Sequence, residues 1–140
     1  MSLNRLSFST VALLALGTTC DAQTTAGAPP GDSAAVAGAT RQLESGEQWF
    51  RSACVQCHAT AALANPDFRL KWSGKSAFDL FERIRSTMPA NRPGTLTQGT
   101  YAAIVAYLLQ QNGMRSGGRR LSSDSSALAS IRLNFSGQSR

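Results

Sequence analysis

Cys54, Val55, Gln56, Cys57 and His58 place two thiols and an imidazole on a five-residue stretch. This C-x-x-C-H spacing is the pattern of covalent c-type haem attachment. Two thiols one helical turn apart can each add to one of the two neighbouring vinyl groups on a single haem edge. The next residue then turns an imidazole under the ring toward iron. Three other chemistries compete for these residues. A structural zinc site wants four Cys or His ligands, whereas the chain has 3 Cys and 1 His in all, with Cys20 far upstream. A redox dithiol would sit between a strand and a helix, and no strand pattern precedes Cys54. A plain disulfide suits an exported protein but leaves the sole His beside the second Cys as a coincidence.

Elements able to position such a group flank the pentad. From Glu44 to Ala53, residues Gly46, Phe50 and Ala53 fall at i, i+4 and i+7, one face of a helix that runs into Cys54. A mid-helix Gly costs about 1 kcal/mol relative to Ala, so Gly46 points to close approach of another backbone. The expected neighbour is a helix over Thr97 to Asn112, where Tyr101, Ile104, Val105 and Leu108 repeat at helical spacing, Thr97 caps the start and Gly113 ends it. A third helix is expected over Ser76 to Arg85, opened by a capping box of Ser76 and Asp79, with Leu80, Ile84 and Met88 at spacing four. Spacing alone makes Met88 a core residue. Pro89, however, pushes it toward an extended conformation, and Asn91-Arg92-Pro93-Gly94 makes a loop. A Met on a loop can turn its thioether to face a haem.

The chain has 140 residues, 14 Lys+Arg against 8 Asp+Glu, and a formal net charge of +6. That size supports one compact domain and excludes a two-domain enzyme with its own nucleotide-binding fold. No apolar run approaches the roughly 20 residues of a membrane span. Arg5 followed by the apolar run from Phe8 to Gly17 has the layout of a secretory signal, with cleavage expected after Ala22. Export to the periplasm follows. Cys20, just after that apolar run, is a candidate for lipidation, which would anchor the protein to a membrane. Residues 23–42 are Ala, Gly, Thr and Pro with almost no large apolar side chain, which reads as a disordered tether. The folded domain is expected over 43–114, and a C-terminal extension over 115–140 is expected to pack partly on it.

Gly46-x-x-x-Phe50, the pentad, Trp72-x-Gly74, Leu80-Phe81-x-x-Ile84, Thr87-Met88-Pro89, Pro93-Gly94-x-Leu96 and Ala106-Tyr107-x-Leu109-x-x-Asn112-Gly113 together resemble class I cytochrome c. More closely, they are similar to the single-haem subunits or domains associated with bacterial quinoprotein dehydrogenases. The resemblance covers Glu44 to about Met114. It implies an all-α fold of three to four helices around one covalently bound haem c, with Cys54 and Cys57 attached to the ring and His58 and Met88 as axial ligands to iron. The first and last helices would cross through Gly46, Phe50, Ile104 and Tyr107. Trp72 matches the family position near a haem propionate, where its indole N–H can donate a hydrogen bond; its plainer reading is a packed core Trp. Ala59 stands where the family commonly has Gly. Pro66 is the candidate for the residue whose carbonyl orients the His58 ring.

With both axial positions filled, iron has no open site, and the resemblance implies an electron carrier and not an enzyme. Its role would be to pass single electrons between a dehydrogenase and a respiratory acceptor. Lys71, Lys75, Arg83, Arg85 and Arg92 flank Met88 and would steer a redox partner that is acidic at its docking surface. A solvated basic surface is the plainer reading of these charges. Arg115, Arg119 and Arg120 lie among Gly and Ser without interleaved aromatics, which argues against nucleic acid. Two other functions fit the same residues: a haem-based sensor or small-ligand binder with labile Met88, and a relay subunit of an oxidoreductase complex.

Overall fold

The computed structural model describes residues 30–135. The segment 1–22 with Cys20, the first part of the expected tether, and residues 136–140 lie outside them. Six helices follow in order: α1 (Pro30–Ala53), α2 (Thr60–Leu63), α3 (Pro66–Trp72), α4 (Ala77–Thr87), α5 (Gln98–Gln111) and α6 (Ser125–Ser130). Among the described residues the only β pairing is an isolated bridge between Ser76 and Arg132. The described residues are thus all-α, as expected from the sequence.

α5 is the spine. Its nine consecutive residues from Tyr101 to Leu109 are buried, as expected of a helix apolar all round and covered on several sides. Thr97 caps it by accepting the Thr100 N–H at 3.1 Å. α1 crosses α5 at Gly46, where a Cβ would lie 2.7 Å from the Ala103 carbonyl carbon and 3.0 Å from the Tyr107 Cβ. One turn on, the Phe50 and Tyr107 rings meet with centroids 5.5 Å apart. The absent side chain at Gly46 therefore sets the distance between the two helices. α4 begins at the capping box read from the sequence: Asp79 N–H donates to Ser76 Oγ at 3.2 Å, and Ser76 N–H donates to Asp79 Oδ2 at 2.8 Å.

The start of the domain differs from the sequence reading. α1 begins at Pro30, so residues 30–42 are helix and not tether, and the helical body does not wait for Leu43. Two physical causes account for this. Ala34, Ala35, Ala37 and Ala39 are the strongest helix formers, Pro30 occupies the first helical position, and Asp32 sits in the first turn where the helix dipole favours an anion. The stretch is also held from outside itself. Gln42, 6% exposed, donates from Nε2 to Leu121 O at 2.8 Å and accepts Leu121 N–H at 2.7 Å on Oε1. Ala39 is buried, and Gly38 packs under the Arg120 side chain. Large apolar residues were not needed because residues 118–121 cover this end of α1.

The segment after α5 returns across the domain. Asp124 caps α6 through the Ala127 N–H. Leu128 and Leu133 are fully buried, and Phe135 is 8% exposed.

Candidate haem site

α1 ends in a turn that carries the pentad. His58 N–H donates to Cys54 O at 2.9 Å and Cys57 N–H to the same carbonyl at 3.1 Å, so Cys54, Cys57 and His58 are wound onto one turn. Cys54 is half-buried, and burial pushes its thiol above the usual range; Cys57 is exposed. No disulfide joins them.

A cavity of about 500 Å³ opens beside this turn. Cys54, Cys57 and His58 line it, and so does Met88. Its apolar walls come from α1 (Phe50, Ala53), α2 (Leu63), α3 (Phe68, Trp72), α4 (Leu80, Ile84) and α5 (Ile104, Leu108). That volume lies within the roughly 300–1,000 Å³ of small-molecule and cofactor sites. The donors fit a haem: two thiols on one turn, an imidazole and a thioether, on walls that are otherwise mostly apolar. No group of three or more His, Cys, Asp or Glu among the described residues is placed to hold a metal ion by itself.

Met88 is the C-cap of α4, in extended conformation with φ −128° and ψ 150°, as the following Pro dictates. Its N–H still closes the helix by donating to Ile84 O at 2.8 Å. Its carbonyl is gripped from the other side by Tyr101, whose hydroxyl donates to Met88 O at 2.8 Å. Tyr101 is 1% exposed and belongs to the first turns of α5, so the spine of the fold fixes the backbone of the Met segment. The sequence marked Tyr101 only as a core position; a buried phenol must place its hydroxyl on a partner, and that requirement was the available signal. Asn112 does similar work at the other end of α5. Its Nδ2 donates to Leu63 O at 2.8 Å and to Leu108 O at 2.9 Å, tying the segment after His58 to the helix.

Trp72 is 8% exposed and lines the cavity next to Phe68, ring centroids 6.2 Å apart. Pro66 opens α3 at its first position and is not among the lining residues; Asn65 and Asp67 on either side of it are. Of the five basic residues flanking Met88, Lys71 and Arg83 reach the cavity lining, and Lys75, Arg85 and Arg92 do not. Arg85 is instead held by both carboxylate oxygens of Glu82, at 2.9 and 2.7 Å. The Lys71 ammonium lies 5.7 Å from the Trp72 ring centroid.

A family model described as cytochrome c oxidase, cbb3-type, subunit III matches residues 41–108. The match spans the second half of α1 through most of α5 and takes in Cys54, Cys57, His58, Trp72 and Met88. No curated protein and no solved structure matches the chain significantly. The helical fold, the pentad on its cavity and the family match over residues 41–108 together support a class I c-type cytochrome domain and point to an electron carrier with covalently bound haem c and iron rather than a catalytic enzyme.

Proposed function

We propose that this protein is an exported mono-haem cytochrome that passes single electrons from a dehydrogenase, of the quinoprotein class, to a respiratory acceptor. The observation that carries this reading is the single cavity whose lining includes Cys54, Cys57, His58 and Met88 together. When bound, the haem supplies Fe(III)/Fe(II) exchange. The two cysteines would hold it to the chain through thioethers, and the His58 imidazole and Met88 thioether would be the ligands to its iron. A thioether is a soft, neutral donor that favours Fe(II), so Met88 raises the reduction potential. Tyr101 keeps the Met88 backbone in place, and the apolar walls exclude water. Trp72, on the cavity wall, would offer its indole N–H to a haem propionate.

Lys71 and Arg83, at the cavity, give the docking face a positive rim for a partner with acidic groups around its own redox centre. The leader over 1–22 directs the protein to the periplasm, and Cys20 is the position at which a lipid would tether it to a membrane. No helix among the described residues is long and apolar enough to cross a membrane.

Stopped-flow reduction by a quinoprotein dehydrogenase tests this reading. Reduction is expected to be fast at low salt and to slow as ionic strength rises, and the reduced protein is expected to take up carbon monoxide poorly. Immediate carbon monoxide binding by the wild type would make the protein a ligand-binding sensor instead.

A further inference from the structure

The C-terminal segment lies beyond the matched residues 41–108, yet it backs one wall of the haem cavity. After α6 the chain runs along the turn between α3 and α4. Ala77 N–H donates to Ile131 O, Leu133 N–H to Lys75 O and Gly74 N–H to Leu133 O, each at 2.9 Å. The Ser76 and Arg132 bridge belongs to the same pairing. These bonds deliver Phe135 onto Phe68, edge-on, with centroids 6.4 Å apart and planes at 72°. Phe68 in turn leans on Trp72. Phe68 and Trp72 line the cavity; Phe135 does not. It stands behind them, and Leu133 in the same strap is buried as well.

We infer that Phe135 is a positioning residue that sets the haem reduction potential by holding Phe68 and Trp72 against the ring and keeping water from behind that wall. The inference rests on the reading of the cavity as a haem site ligated by His58 and Met88. The apolar shell around a metal centre controls solvent access and local dielectric, and through them the potential. The Fe(III) haem carries one positive charge more than the Fe(II) haem, so a dry wall favours the reduced form. Thinning the wall must lower the potential. The direction follows from charge alone and does not require Phe135 to touch the haem.

The test is a spectroelectrochemical titration of the full-length holoprotein, with the Met–Fe(III) charge-transfer band recorded in parallel. F135A is expected to shift the Fe(III)/Fe(II) equilibrium three- to tenfold toward Fe(III); tenfold is about 59 mV for one electron. F135L, which keeps most of the apolar bulk, is expected to recover most of the wild-type potential. F135V, a milder cut for the case in which F135A yields no holoprotein, is expected to shift the equilibrium twofold or more in the same direction. L128A removes a fully buried side chain of the same extension that, like Phe135, does not line the cavity but belongs to no ring pair with Phe68 or Trp72. It is expected to lower thermal stability while leaving the potential at the wild-type value. An unshifted potential in F135A or F135V with the band intact overturns the role of Phe135, as does an equal shift in L128A. Absence of the band in the wild type would instead count against Met88 ligation, so the two failures are told apart.

Discussion

Replacing Gly46 with Ala should reverse the usual sign of a Gly-to-Ala change in a helix. Away from contacts, Ala in the middle of a helix is worth about 1 kcal/mol over Gly. At position 46 the added methyl would lie against the Ala103 carbonyl, 2.7 Å from its carbon, and 3.0 Å from the Tyr107 Cβ. Carbon atoms pack at about 3.5–4.0 Å, so α1 and α5 must part by roughly 1 Å, a gap that forfeits a quarter to a half of each contact it opens. The obstruction is backbone and cannot rotate away, which puts the overpacking cost at or above about 3 kcal/mol, the upper end of the usual range. After the propensity gain the net loss is about 2 kcal/mol, or roughly 8–16 °C in Tm for a domain of this size. Gly38, in the same helix, is the control. A Cβ there meets only the Arg120 side chain, at 3.3 and 3.6 Å, which can move aside, so Gly38→Ala should be neutral or stabilising by up to about 1 kcal/mol. Thermal denaturation of both holoprotein variants, followed by far-ultraviolet circular dichroism, measures the difference. A Gly46→Ala protein as stable as the Gly38→Ala protein would refute the close-approach reasoning.

Met88→Ala should turn a six-coordinate, low-spin haem into one that binds carbon monoxide or imidazole readily, with a lowered potential; an unchanged spectrum would return Met88 to the role of a core residue. Tyr101→Phe leaves the Met88 carbonyl without its hydroxyl donor and should cost about 1–3 kcal/mol in denaturant unfolding, with faster carbon monoxide uptake than the wild type if the Met segment loosens. Ser76→Ala should cost about 1 kcal/mol through loss of the α4 cap. The hydrogen bonds from Ser76 hold the Asp79 carboxyl below its ordinary value, so its contribution is present above about pH 4 and is lost as pH falls through the lower folded value. Asp79→Asn should therefore flatten the acid limb of the stability profile, and a limb as steep as that of the wild type would count against the capping box.

Much of the site could be read from residue types and spacing because its chemistry is local. The pentad needs only one turn, the Ser76 and Asp79 box only three residues, and Met88 is set extended by its neighbour Pro89. Gly46 was legible for the same reason, since a costly residue in a good helix asks for a backbone partner. What escaped the sequence depends on pairs far apart in the chain. The first half of α1 looked like a tether because it has few large apolar residues, and the Gln42 side chain that fixes it finds Leu121 at the other end of the domain. Nothing near Tyr101 announces that its hydroxyl reaches Met88, and nothing near Phe135 announces Phe68. The basic residues show the converse limit. Five flank Met88 in sequence, but they are spread over α3, α4 and the turns between elements, and only Lys71 and Arg83 come to the cavity.

The most direct measurement is the intact mass and visible spectrum of the polypeptide after full denaturation and removal of every non-covalently bound group. One haem is expected to stay on each chain through thioethers to Cys54 and Cys57, and to be released from a protein carrying both Cys54→Ala and Cys57→Ala. A colourless wild-type chain, with two free thiols or a Cys54–Cys57 disulfide, would contradict it.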